Sequence, residues 1–124
     1  MRPDEEVIKR WRGSAPFWEK HRNTIRGMFA PITQALIEDA EIGTQDSVLD
    51  VATGPGEPAL SVAAVVGPDG KVFGVDAIHG MIAAARTEAQ RLGLKNAKFQ
   101  ASSWASRTAR MSLRPAWRPL GSSA

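Results

Sequence analysis

The sequence predicts an α/β fold built on a parallel sheet, on three observations. Short runs rich in β-favouring residues, "SVLDVA", "KVFGVD" and "NAKFQ", recur from Ser47 onward. Segments of helical period, "PALSVAAVV" and "GMIAAARTEAQRLG", fall between them. The resulting order, strand, helix, strand, helix, strand, is that of parallel strands joined by right-handed crossovers. The 124 residues suffice for one compact domain.

The elements follow in order along the chain. Pro3 to Trp11 runs from acidic to basic, a charge order that suits a short helix. A second helical segment is predicted over Phe17 to Phe29. Pro31 then reads as a first-turn residue for "PITQALIEDA", with Ile32, Leu36 and Ala40 on one face beside Ala35. "SVLDVA" is the first strand, and Pro58 opens a helix that closes at Gly67. "GPDG" is a turn and "KVFGVD" a second strand ending in Asp76. In the next helix Met81, Ala84, Ala85, Ala89 and Leu92 line one face, and Gly93 supplies a stop. "NAKFQ" is the third strand. After Gln100 the composition narrows to Ser, Ala, Arg, Trp, Pro and Leu, which reads as a disordered basic tail, with at most a turn or two of helix over Arg107 to Leu113. The expected organisation is a helical segment over residues 1–43, an α/β domain over 44–100 and the tail over 101–124.

Composition narrows the function classes. A hydrophobic fraction of 43% with 23% charged residues is globular rather than disordered. No apolar run spans a bilayer, and the acidic "MRPDEEVIKRW" is no signal peptide. The absence of cysteine removes disulfides, thiolate metal sites and cysteine nucleophiles, and favours a cytoplasmic protein. The sequence pI of 9.8 suggests nucleic acid, but four arginines and no acid in residues 101–124 account for it. Without them the chain carries 12 basic against 13 acidic residues. A tail alone could meet phosphates, without a matching patch on the domain.

The stretch "VLDVATGPGEPAL" carries the functional signal. Its loop joins the first strand to its helix at the carboxyl end of the sheet, where open α/β folds bind ligands. Gly54 and Gly56 permit positive φ and a close ligand approach, and the helix beyond them offers N–H groups. Asp76 closes the second strand 22 residues after Gly54, placed to accept hydrogen bonds from both hydroxyls of a ribose. The combination reads as a site for an adenosine-type cofactor. "GPGEPA" formally fits the dinucleotide fingerprint, with Asp76 at about the 20-residue offset of the ribose acid. Charge favours a different cofactor. Asp50 and Glu57 would repel a pyrophosphate, at about 1 kcal/mol for like charges in contact in water and several times that in a partly buried cleft. S-adenosylmethionine brings an ammonium and a sulfonium beside one carboxylate. Asp50 would then attract the amino group while loop amides hold the carboxylate.

"VLDVATGPGEPAL" followed by "GKVFGVDAIHGMIAAARTEAQRLGLKNAKFQ" resembles the N-terminal half of a class I S-adenosylmethionine-dependent methyltransferase, of the group similar to ubiquinone/menaquinone-biosynthesis methyltransferases. The likeness covers Ser47 to Gln100 and, more loosely, "FWEKH" and "PITQALIEDA". It implies three strands of a seven-strand Rossmann-like sheet with N-terminal helices. It also implies a cofactor site over Asp50, Ala52, Thr53, Gly54, Pro55, Gly56, Asp76, Ala77 and Met81. Within that site Asp50, Gly54 and Gly56 would meet the methionine moiety, Asp76 the ribose, and Ala77 with Met81 the adenine. The implied activity is methyl transfer to a small-molecule acceptor; no metal is implied, and the catalytic residues are not readable.

The chain departs from the family after the third strand, where "QASSWASRTARM" replaces the family's Gly-Asp-Ala-Glu-like segment and the lead into a fourth strand. This predicts a truncated product with an out-of-frame tail, an open edge on the first strand, weak cofactor binding at best and no turnover unless another copy or chain completes the sheet. A nicotinamide-dependent oxidoreductase fragment and a non-enzymatic, basic nucleic-acid-binding protein are the competing readings.

Single residues carry two readings each. Asp50 either meets a ligand or braces its loop. Met81 sits at helical spacing for core packing as well as adenine contact. Trp11, Phe17, Trp18 and Phe29 fit a lid over the cleft, by the resemblance, or ordinary packing of helices on the sheet. His79 and His21 read as solvated, and Trp104 and Trp117 as accidents of the tail.

Overall fold

The computed structural model describes residues 3–102. Two long helices, α1 (Pro3–Lys20) and α2 (Arg22–Asp39), precede an alternation of β1 (Ser47–Val51), α3 (Ala59–Val66), β2 (Lys71–Asp76), α4 (His79–Arg91) and β3 (Ala97–Ala101). The strands form one parallel sheet in the order β1-β2-β3, with Asp50 opposite Gly74 and Gly74 opposite Phe99. The α/β expectation is borne out, and β3 runs one residue past Gln100. Ala101, expected in the tail, thus belongs to β3, while residues 103–124, with the turn of helix expected at Arg107–Leu113 and the two tail tryptophans, lie outside the described residues.

The core sits between the sheet and α3–α4. Leu60, Val66, Val72, Ile82 and Phe99 are buried there with Ala59, Ala63 and Ala85, whose short side chains let both helices lie close to the strands. Gly74 is required by a separate close approach within the sheet, since a Cβ there would stand 2.6 Å from Phe99 Cδ1 of β3 and 2.8 Å from Thr53 Oγ1. The end of α3 is tied down by Asn96, whose Nδ2 donates to the carbonyls of Ala63 and Gly67 at 2.8 and 2.7 Å. Gly93, at φ 69°, closes α4 as expected, with Leu94 N donating back to Ala89 O.

The N-terminal third differs from the sequence expectation. The break falls at His21, not between Trp11 and Phe17, and Pro16 and Pro31 lie inside helices. Each proline forfeits one intrahelical bond, but both are exposed, and a glycine sits about one turn earlier in each helix, Gly13 and Gly27, with open space around it. Hydrogen bonds from His21 N to Phe17 O and from Ile25 N to His21 O carry the backbone across the break. The face expected to pack on α2 is also corrected. Ile32, Ala35, Leu36 and Ala40 are exposed, and Ile37 is the residue that reaches the core, beside Ile42 and Val48. On α4, Leu92 is exposed, while Ile82 and Glu88 join the buried face.

Candidate functional site

The site begins where β1 ends. Ala52 takes a positive φ of 59°, and Thr53 continues the ladder by donating its N–H to Val75 O at 2.9 Å. Gly54 and Gly56 follow at φ 57° and 107°. No neighbouring atom lies within 4 Å of a Cβ built on Gly54, so its face is open to a ligand; at Gly56 a Cβ would meet Leu60 Cδ1 at 2.9 Å. One glycine thus serves approach, and the other serves packing of the loop on α3.

Asp76 joins the two strand ends. Its Oδ2 accepts the Gly54 N–H at 2.8 Å and its Oδ1 accepts the Ile78 N–H at 3.0 Å. Each oxygen keeps lone-pair capacity for a further donor. The loop amides, expected to be free, are engaged: Gly54 N–H by Asp76, and Gly56 N–H by Thr53 O at 3.1 Å. An incoming carboxylate would have to draw one of them from its internal partner.

A cavity of about 460 Å³, within the usual size of small-molecule sites, opens above the loop. Ala52, Thr53, Gly54, Pro55, Asp76, Ala77 and Met81 line it, as the sequence reading expects. Gly56 and Asp50 do not. Asp50 stands behind the wall, where its Oδ2 accepts the Thr53 hydroxyl at 2.8 Å and its carboxylate takes a backbone hydrogen bond from Ala59, the first residue of α3. Burial raises its pKa above the usual aspartate value; those two hydrogen bonds oppose the rise, and the charges of Glu57 and Asp76 add to it. Bracing of the loop is therefore the role its contacts describe.

The opposite wall comes from α1. Val7, Ile8, Trp11 and Trp18 face the cavity, with the two indoles 6.1 Å apart. Helix α1 docks on α4 through Ala15, which packs with Ile78 and Met81. Ile8, Trp11, Ala15 and Trp18 make one helical stripe only if the helix continues through Pro16; ending it before that proline hides the pattern. Glu57 and Ile78 also line the cavity and were missing from the expected set. Glu57 accepts the Ser61 hydroxyl at 2.7 Å and pairs loosely with Arg26 at 3.6 Å. Among the described residues the wall holds two carboxylates and no lysine or arginine. His79 is exposed at the start of α4, and His21 is half-buried against the Phe17 ring, at 4.5 Å between centroids.

Comparison with known proteins gives a consistent result. A family model described as a methyltransferase domain matches residues 42–112, running past Gln100, where the resemblance read from the sequence ends. The chain is similar to aklanonic acid methyltransferase DauC of Streptomyces sp. (strain C5), 40% identical over 55% of this chain and 31% of the relative. It is similar also to ribosomal RNA small subunit methyltransferase G of Gloeobacter violaceus, 35% identical over 73% of this chain and 33% of the relative. The chain thus spans about a third of the length of these curated relatives. Among solved structures, a SAM dependent methyltransferase from Aquifex aeolicus superposes with a TM-score of 0.54 at 30% identity, over 57% of this chain and 38% of that one.

Proposed function

The chain belongs to the methyltransferase domain family, and we propose that its cavity binds S-adenosylmethionine for methyl transfer to a small-molecule acceptor. The observation that carries the cofactor assignment is the charge of the wall: Glu57 and Asp76 line it, Asp50 lies just behind, and no basic side chain lines it among the described residues. Such a wall favours a cation and opposes a pyrophosphate. Nicotinamide dinucleotides are disfavoured on the same ground.

The residues present fit this cofactor. Asp76 accepts hydrogen bonds from the ribose hydroxyls with its remaining lone pairs. Ala77, Ile78 and Met81 offer an apolar floor to the adenine, and Glu57 faces the positive end. Trp11, Trp18 and Ile8 exclude water from the other side. Asp50 acts from behind, holding Thr53 and the first turn of α3 in place. When bound, the cofactor supplies an electrophilic methyl group on sulfur; the protein's part is alignment and exclusion of water more than acid–base chemistry.

For the acceptor, an apolar wall built by α1 suits a small, partly apolar molecule. The relative named for aklanonic acid supports this class, and the relative named for ribosomal RNA marks the alternative. The balance of 12 basic to 13 acidic residues outside the tail speaks against a polynucleotide acceptor. Calorimetric titration of the full chain tests the cofactor: weak but saturable binding of S-adenosylhomocysteine, none of NAD, and binding weakened at least about tenfold further in Asp76→Ala, which loses the charge-assisted hydrogen bonds to the ribose hydroxyls. Binding of NAD in preference to S-adenosylhomocysteine would refute the assignment.

A further inference from the structure

Arg22 takes no part in the cavity wall, yet it ties its own helix to the glycine loop and to α4. It is the first residue of α2, directly after the break at His21, and its side chain is only 10% exposed. Nη1 donates to the Pro55 carbonyl at 2.5 Å, Nη2 donates to the Ala84 carbonyl at 3.1 Å, and Nε lies 3.9 Å from Glu88 Oε2. Glu88 is itself buried on α4 and also binds Arg91. A guanidinium carries donors in a rigid fork, so it can hold two carbonyls and face a carboxylate at once; an ammonium cannot reproduce that span.

The contact with Pro55 matters most. The Pro55–Gly56 peptide is held at both ends, its carbonyl by Arg22 and its N–H by Thr53 O. Gly56, at φ 107°, would otherwise leave this peptide freer to rotate. The same side chain anchors the junction of α1 and α2, and α1 forms the far wall of the cavity. One residue therefore bears on both the loop and the helix that faces it.

We propose that Arg22 is a positioning residue that locks the glycine loop and couples its conformation to the docking of α1 over the cavity. The coupling to a ligand rests on the cofactor reading above; the locking of the loop does not. By linkage, a ligand that orders the loop then also orders α1.

Amide hydrogen exchange on the full chain tests this, with Arg22→Lys as the main variant and Arg22→Met as the stronger one. Without ligand, Arg22→Lys is expected to speed exchange at Gly56 and Leu60 by about fivefold or more while leaving β2 unchanged, a local opening rather than a global one. With S-adenosylhomocysteine, wild-type α1 gains protection over residues 7–18; Arg22→Lys does not, and it binds the ligand about tenfold more weakly, the expected effect of lost preorganisation. Arg22→Met is expected to show the same pattern to a greater degree. Loop exchange and affinity within about twofold of wild type in Arg22→Lys would overturn the proposal. So would faster exchange of β2 in that variant, which would mark a merely structural role. If the wild-type chain binds no S-adenosylhomocysteine, the cofactor reading falls, and the ligand-free exchange alone decides the locking role of Arg22.

Discussion

Asp50 and Asp76 both end a strand beside the glycine loop, and their surroundings give them different work. Asp76 faces the cavity with both oxygens on backbone N–H groups. Asp50 is withdrawn behind Thr53, with its pKa raised chiefly by burial. A raised carboxyl pKa means that the folded state holds the proton more tightly than the unfolded one. Stability from this group is then present at low pH and declines as pH rises from the ordinary value of 3.8 through the raised one. Asp50→Asn keeps a carbonyl acceptor for Thr53 and Ala59 without the charge. In urea melts over that window the variant should gain stability relative to wild type as pH rises; a constant difference would show that Asp50 does not titrate in this way. The two glycines separate similarly. Gly56→Ala brings a Cβ against Leu60 and Ala85 at an unfavourable φ and should cost about 1–3 kcal/mol. Gly54→Ala meets only the backbone cost, about 1 kcal/mol. Equal losses in chemical denaturation would contradict the division between packing and approach.

At the level of elements, the alternation from Ser47 onward was legible because each segment carries its own period and its own stop. "KVFGVD" is bounded by "GPDG" and by the loop after Asp76, and Gly93 ends α4 where the αL position is needed. The N-terminal helices were less legible because prolines at 16 and 31 are strong local breakers that tertiary context overrides. With the helices divided wrongly, neither the α1 stripe that walls the cavity nor the place of Arg22 could be seen. The register of α2 gives a direct test. Ile37→Ala should cost about 2–4 kcal/mol as a core truncation, whereas Leu36→Glu should change stability by no more than about 0.5 kcal/mol. The reverse ranking in urea denaturation would restore the face expected from the sequence.

For the molecule as a whole, β1 is an edge of the described sheet: it pairs only with β2, and Leu49 and Val51 are exposed along it. Phe29, Ile32 and Leu36 of α2 are exposed as well. No helix among the described residues is long and apolar enough to cross a membrane. The meeting of the glycine loop with Asp76 was readable from spacing, because parallel strands bring consecutive strand ends together. The place of Asp50 was not, since sequence spacing cannot say on which side of a wall a carboxylate lies. The same holds for Glu88, a buried acid whose pKa is lowered mainly by its hydrogen bonds to Arg91 and whose partners are visible only in the folded chain.

The most direct test of the cofactor assignment is a ¹H–¹⁵N NMR titration of the full chain with S-adenosylhomocysteine and, separately, NAD. Saturable shifts from S-adenosylhomocysteine are expected at Gly54, Asp76 and Ala77 and at the indoles of Trp11 and Trp18, with NAD leaving these signals in place. Shifts at the same residues from NAD, with none from S-adenosylhomocysteine, would contradict it.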